Sequence, residues 1–81
     1  MVPADVATEI TSELAIPTIG IGAGAGADGQ VLVWTDFAGL SARSPSFSKS
    51  YVNLRELLTE AATNYKTEVA EGAFPGKDQS F

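Results

Sequence analysis

The chain has 81 residues, a formal net charge of −5, and neither cysteine nor histidine. A chain of this size is one small domain at most and buries only about 60–65% of its unfolded surface, so it is marginally stable without help. The missing cysteines and histidines exclude disulfides, thiolate nucleophiles, imidazole bases and the usual zinc ligands within the chain.

Charge and hydropathy exclude two further classes of partner. The net negative charge argues against unaided binding to nucleic acid or anionic lipid, since both need basic patches, and the five cations are scattered. No apolar run approaches the roughly 20 residues that a membrane helix needs. We therefore expect no nucleic-acid partner and no membrane partner. The lack of cysteine is compatible with the cytoplasmic location that we expect.

Residues 3–14 are predicted to form the first helix. Pro3 suits the first turn, and Asp5 is favourable at the positive end of the helix dipole. Pro17 prevents the pattern from continuing. Apolar residues recur at i, i+4 and i+8 and make one stripe, formed by Val6, Ile10 and Leu14.

Two short apolar runs follow the first helix. We predict one strand over residues 18–21 and a second over residues 30–34, because both runs are apolar and bounded by turn residues. One helical turn is expected over residues 36–39. Residues 41–50 are rich in serine, contain a proline and show no periodicity, so a loop is expected there.

Residues 53–71 are predicted to form the final helix. Asn53 can cap its start, with Glu56 completing a capping-box-like pair. Gly72 is expected to end the helix and Pro75 to prevent its resumption. The tail over residues 73–81 carries two aromatic residues in a polar setting and is expected to dock. The apolar face of the helix consists of Leu54, Leu57, Leu58, Ala61, Ala62, Tyr65 and Val69.

The order helix, strand, strand, helix makes a poor closed domain. Two short strands cannot form a sheet that shields both faces, and a two-stranded unit is marginal in water. The pattern therefore predicts a piece of a larger α/β fold, in which residues 1–81 are one part of a single domain.

From residue 20 to residue 26, every second residue is glycine. Glycine permits positive φ and lets the backbone approach another group closely. Gly22-x-Gly24-x-x-Ala27 matches a relaxed dinucleotide fingerprint, but that motif needs a following helix and a distant acid, and neither is found here. From the residues alone, two interpretations stay open: a tight structural turn, which is slightly favoured, and a substrate-facing loop. The glycines are Gly20, Gly22, Gly24 and Gly26.

Three other side chains are candidates for chemistry. Asp28 could bind a metal, but an Asp-Gly pair is more often a turn. Asp36 could act as a general base, but a cap on the turn that follows is somewhat favoured. Trp34 could stack on a pterin ring, but a Trp that closes an apolar strand is more often part of the core. The chain therefore holds no self-sufficient catalytic constellation, and we predict no catalytic residue and no metal ligand in it.

Several motifs occur in a characteristic order along the whole chain. They are GIGAG at residues 20–24, DGQVLVW at 28–34, Asp36, Gly39, Phe47, Lys49 and Tyr51, and the terminal set Gly72, Phe74, Pro75, Ser80 and Phe81. In this order they closely resemble the C-terminal part of the ketopantoate hydroxymethyltransferase family. Thr35 and Gln79 depart from the family pattern, which often has His or Gln at the first position and His at the second.

The resemblance implies an α/β fold that is the C-terminal part of a (β/α)8 TIM barrel of the phosphoenolpyruvate/pyruvate type. Residues 3–14 would be the sixth helix, the two strands the seventh and eighth, and residues 53–71 the final helix. Because related barrels swap that helix between subunits, the resemblance implies a homo-oligomer formed through the final helix and tail. The resemblance also favours the substrate-facing loop over the structural turn. It makes four residues candidates for that loop: Gly20, Gly22, Ala23 and Gly24.

The resemblance implies hydroxymethyl transfer from 5,10-methylenetetrahydrofolate to 3-methyl-2-oxobutanoate, giving ketopantoate in pantothenate biosynthesis, with Mg²⁺ stabilising an enolate. The metal ligands would belong to earlier strands, and the proton-abstracting Glu would immediately precede Met1. We therefore expect the 81 residues alone to be inactive and to bind neither Mg²⁺ nor folate. The alternatives are a non-catalytic association module and a piece of another barrel enzyme of the same superfamily.

Overall fold

The computed structural model describes all 81 residues. Neither the longest helix nor any other combines the length and apolar character required to span a lipid bilayer. The elements are helix α1 (Ala4–Glu13), strand β1 (Ile19–Gly20), strand β2 (Gly29–Gln30), helix α2 (Trp34–Phe37), helix α3 (Leu54–Glu71) and a 3₁₀ turn (Lys77–Gln79).

Helix α1 lies inside the range predicted from the apolar stripe. It begins directly after Pro3, whose carbonyl accepts a hydrogen bond from the Ala7 N–H. It ends at Glu13, because Leu14 turns to an extended conformation ahead of Pro17. Proline therefore fixes the first turn and prevents the helix from continuing.

Helix α3 also begins and ends at its sequence signals. The side-chain oxygen of Asn53 accepts a hydrogen bond from the Glu56 N–H at 3.4 Å, which satisfies one of the free donors of the first turn. Gly72 adopts the left-handed conformation with φ of 76°, as expected for a glycine that ends a helix. The Glu56 side chain makes no return bond, so the capping box is only half formed.

The strands are shorter than predicted, and the prediction for residues 30–34 is wrong beyond Gln30. The pair β1–β2 is parallel, with Ile19 opposite Gly29 and Gly20 opposite Gln30. The Val31 N–H donates to the Gly20 carbonyl, and the ladder ends there. A ladder extends only while both chains stay extended side by side, and the chain leaves β1 for the glycines directly after Gly20. The helix α2 then begins at Trp34, two residues before the turn predicted over residues 36–39.

One face of the strand pair is covered and the other is open. On the covered face, the Thr18 hydroxyl lies 2.8 Å from the Thr11 hydroxyl of α1. Because side chains alternate along a strand, the opposite face carries Ile19 and, directly after β2, Val31, which are 66% and 50% exposed. This open face is built from branched aliphatic residues, which are typical of a sheet interior rather than of a surface.

The chain has almost no core of its own. Only Gly20, Ala23 and Ala38 are buried. The radius of gyration is 21.1 Å, against about 12 Å for a compact domain of this length. The molecule measures 64 × 27 × 13 Å, because α3 extends away from the strands without packing on them. The elements are therefore formed but not packed into a closed unit.

Candidate functional site

Residues 20–26, which begin with the last residue of β1 and continue into the segment between the two strands, are named the glycine loop here. The strands are parallel, so the chain must return from the carboxyl end of β1 to the amino end of β2 within residues 21–28. No helix forms in this return. Gly22 and Gly24 adopt positive φ angles of 64° and 83°, which L side chains rarely tolerate.

Close contacts explain why two positions in this loop are glycine. A Cβ atom at Gly22 would lie 2.7 Å from the Cβ of Phe47, and one at Gly24 would lie 2.5 Å from the Cβ of Ala4 in α1. Both distances are well inside van der Waals contact. These contacts favour the structural-turn interpretation at Gly22 and Gly24, because side chains at these positions would displace α1 or the loop that carries Phe47.

An apolar cavity of about 270 Å³ adjoins the start of the glycine loop. Gly20 and Ala23 line it, together with Ile10 of α1 and the N-terminal residue Val2. Its other lining residues belong to the N-terminus, to α1 and to the segment around β1, and none belongs to β2, so it lies between α1 and β1. Of the four predicted substrate-loop residues, the structure thus brings two to a cavity, while Gly22 and Gly24 face protein groups. The assignment of Gly20, Gly22, Ala23 and Gly24 to a substrate loop stays a prediction.

The backbone of the glycine loop has free hydrogen-bond donors. None of the N–H groups from Ile21 to Gly24 donates a hydrogen bond within the chain. Backbone N–H groups in folded proteins are almost always paired with protein, water or a ligand. These four donors are therefore available to a ligand, to water or to another part of the protein.

Asp28 anchors the end of the return segment. Its carboxylate accepts hydrogen bonds from the Thr18 N–H at 2.8 Å and from the Thr18 hydroxyl at 3.3 Å. Both bonds reach ten positions back along the chain, whereas the turn interpretation expected bonds to local N–H groups. Since Thr18 also contacts Thr11, the three side chains join α1 to the start of both strands.

Gln30 anchors the middle of the glycine loop. Its side-chain amide Nε2 donates a hydrogen bond to the Gly24 carbonyl at 2.8 Å. No other side chain hydrogen-bonds the loop between Ile21 and Ala27. Sequence reasoning missed this residue, and the signal that could have found it is a single amide in an otherwise apolar predicted strand.

Two predicted roles for α2 residues are corrected by the structure. Asp36 lies inside α2 and its side chain makes no hydrogen bond, while Val33 occupies the cap position, so the capping interpretation of Asp36 is wrong. Trp34 begins α2 instead of closing a strand, and its side chain is 56% exposed, so it is not part of a core in this structure. The chain has no group of three or more Asp, Glu, His or Cys residues that could hold a metal ion.

The comparisons with known proteins agree on one family. The sequence model of the family described as ketopantoate hydroxymethyltransferase matches residues 1–77. A relative from Leifsonia xyli is 58% identical over the whole of this chain, and one from Thermobifida fusca is 56% identical over 99% of it. A relative from Pyrococcus furiosus is 56% identical over 93%. All three are named 3-methyl-2-oxobutanoate hydroxymethyltransferase, and this chain spans 30%, 29% and 26% of their respective lengths.

Proposed function

We propose that this chain, which belongs to the ketopantoate hydroxymethyltransferase family, is part of an enzyme that transfers a hydroxymethyl group to 3-methyl-2-oxobutanoate to give ketopantoate. The observation that carries the proposal is the family match over residues 1–77, combined with relatives of that name at 52–58% identity. The one-carbon donor would be 5,10-methylenetetrahydrofolate, and the product would enter pantothenate biosynthesis. A cytoplasmic location is part of the proposal.

The faces of the strand pair support a (β/α)8 barrel of the phosphoenolpyruvate/pyruvate type. In such a barrel, helices cover the outer face of parallel strands and branched aliphatic side chains fill the interior. Here β1 and β2 are parallel, α1 and the glycine loop lie on one face, and Ile19 and Val31 lie on the other. On this proposal, residues 1–81 supply the last two strands and the final helix.

The proposed whole enzyme uses Mg²⁺, but this chain does not fit a magnesium site. The chain lacks any cluster of three acidic or imidazole ligands, and the Asp28 carboxylate is already bonded to Thr18. We therefore assign no metal-dependent step of the reaction to residues of this chain. Its own contribution would be the wall beside the substrate and the backbone donors of the glycine loop. In the reaction, the carbon alpha to the keto group loses its proton and forms a bond to the one-carbon unit. The bonds from that unit to the two folate nitrogens break, and water supplies the hydroxyl oxygen, so the products are ketopantoate and tetrahydrofolate.

The final helix supports a proposed homo-oligomer. The apolar face of α3 packs against no other element of the chain, and Leu57, Leu58, Tyr65 and Val69 are each about half exposed. The tail folds back only at its start, where the rings of Tyr65 and Phe74 meet edge to face with centroids 5.5 Å apart. An apolar helix face of this length needs a partner, and we propose that α3 and the tail provide the contact between subunits.

A hybrid enzyme tests the proposed function. Residues 1–81 replace the segment of the Thermobifida fusca relative that they match, and ketopantoate formation is measured with 3-methyl-2-oxobutanoate, 5,10-methylenetetrahydrofolate and Mg²⁺. We expect turnover within about tenfold of the unmodified relative, since the two segments are 56% identical and hydrophobic replacements that conserve volume are tolerated best. The relative without the segment is the inactive control. A hybrid that folds and assembles like the relative but makes no ketopantoate would contradict the proposal.

Leu57→Ala tests whether the face of α3 is covered in the whole enzyme. Leu57 is 53% exposed in this chain alone. If the hybrid buries it fully, the substitution should lower the free energy of unfolding by roughly 2–5 kcal/mol. Glu60→Ala on the same helix is the control and should change stability by less than about 0.5 kcal/mol. A loss below about 1 kcal/mol for Leu57→Ala would show that the face stays exposed.

A further inference from the structure

Gln30 occupies an unusual position for an amide side chain. It lies on β2 directly opposite Gly20, at the point where the chain leaves β1 for the glycine loop. Its neighbours Val31 and Val33 are the apolar residues expected of a barrel strand. The amide makes one hydrogen bond, from Nε2 to the Gly24 carbonyl.

Gly20 leaves the space that the Gln30 side chain uses. A Cβ atom at Gly20 would lie 3.6 Å from Oε1 and 3.7 Å from Nε2 of Gln30, and 3.3 Å from the Cβ of Ala27. The first two distances are ordinary contacts, so the amide lies directly beside the Gly20 backbone. The third is tight, so Gly20 is buried between the amide and the end of the return segment.

The Gln30 bond is the only hydrogen bond that holds residues 21–27 to the rest of the chain. From Ile21 to Gly24 no backbone N–H is engaged within the chain, and Gln30 is the only side chain that hydrogen-bonds residues 21–27. The loop is otherwise held by packing, at Gly22 against Phe47 and at Gly24 against Ala4. Fixing the Gly24 carbonyl restricts the peptide units on either side of it, so the orientation of the free N–H groups that precede Gly24 depends on the Gln30 amide as well as on this packing.

We propose that Gln30 is a positioning residue for hydroxymethyl transfer, acting through the Gly24 carbonyl to hold the start of the glycine loop at the carboxyl end of β1, where barrel enzymes bind their substrates. This inference rests on the proposed function. Gln30 itself does not touch the reacting atoms. Its role is to keep the Ile21–Gly24 donors in one arrangement, so that they meet the substrate without first paying the entropy of ordering the loop.

Two Gln30 variants with side chains of similar length distinguish the loss of the hydrogen-bond donor from the loss of packing. In the hybrid enzyme, Gln30→Met removes the donor, whereas Gln30→Lys retains one. We expect Gln30→Met to lower kcat/KM for 3-methyl-2-oxobutanoate about tenfold or more, because small misplacements of positioning groups have effects of this size. Gln30→Lys should recover much of the loss. Cleavage of residues 21–27 by proteinase K should be faster in Gln30→Met, while cleavage within α3 should not change.

The matched control for Gln30→Met removes a different hydrogen-bond donor. Ser50→Ala also removes a side-chain donor to a backbone carbonyl of an exposed segment, since the Ser50 hydroxyl donates to the Val52 carbonyl at 3.0 Å. It should leave kcat/KM and proteolysis of the loop unchanged. Unchanged loop proteolysis in Gln30→Met would overturn the proposal. So would equal kinetic losses in Gln30→Met and Gln30→Lys, which would indicate a packing role. An inactive unmodified hybrid would count against the proposed function, and the proteolysis measurement would still decide whether Gln30 anchors the loop.

Discussion

Purified on its own, the 81-residue chain should form no measurable ketopantoate from 3-methyl-2-oxobutanoate, 5,10-methylenetetrahydrofolate and Mg²⁺. We expect its rate to be on the order of a million-fold below that of the hybrid enzyme, because catalytic groups that act as a unit lose most of their effect together. The chain has no cluster that could hold a metal ion, and its two candidate carboxylates are not paired with a base or with each other. The free donors of the glycine loop alone cannot replace these groups.

The self-association of the isolated chain is a control for this assay, and one outcome of the assay would contradict the prediction. The exposed apolar faces of the strand pair and of α3 should make the isolated chain self-associate, which size-exclusion chromatography or light scattering would detect. Adding the remainder of the Thermobifida fusca relative in trans should suppress this association if it covers those faces. Turnover by the isolated chain at an ordinary enzymatic rate, abolished by Asp28→Asn or Asp36→Asn, would mean that the active site lies within these residues.

Gly39→Ala should be strongly destabilising. Gly39 has φ of 70°, and an added Cβ would overlap the Val52 carbonyl oxygen and lie 2.9 Å from the Ser50 hydroxyl. Its own carbonyl accepts the Arg55 N–H at the start of α3, so a shift here would also move that helix. Positive φ and overpacking together predict a loss of roughly 2–5 kcal/mol. In the hybrid enzyme, the thermal midpoint should fall by about 10 °C.

Gly72→Ala is the matched control for this change. Gly72 has a similar φ of 76°, but an added Cβ there would meet nothing within 4 Å. Only the cost of the left-handed conformation remains, so we expect a loss of about 1 kcal/mol and a midpoint shift of about 3 °C. Equal shifts for the two variants would show that backbone conformation alone, and not the contact with the Val52 carbonyl, governs the effect at Gly39.

The sequence by itself determined the two long helices and their ends. Their signals are local: a proline before α1, an amide cap at Asn53 and a left-handed glycine at Gly72. Such signals act within one turn of the helix and do not depend on distant partners. The order of the short motifs along the chain likewise indicated the family, because it needs no knowledge of how the elements pack.

Only the tertiary structure decided where the strands end and what the polar residues between them do. A strand lasts as long as its partner, so the apolar run after Gln30 could not reveal that the ladder stops when the chain departs from Gly20. The partner of Asp28 lies ten positions back at Thr18, and the partner of Gln30 is a loop carbonyl at Gly24. The glycines that allow flexibility in the sequence are, in the structure, points of close contact with Ala4 and Phe47. These features depend on groups that folding brings together, and composition and periodicity along the chain do not reveal such contacts.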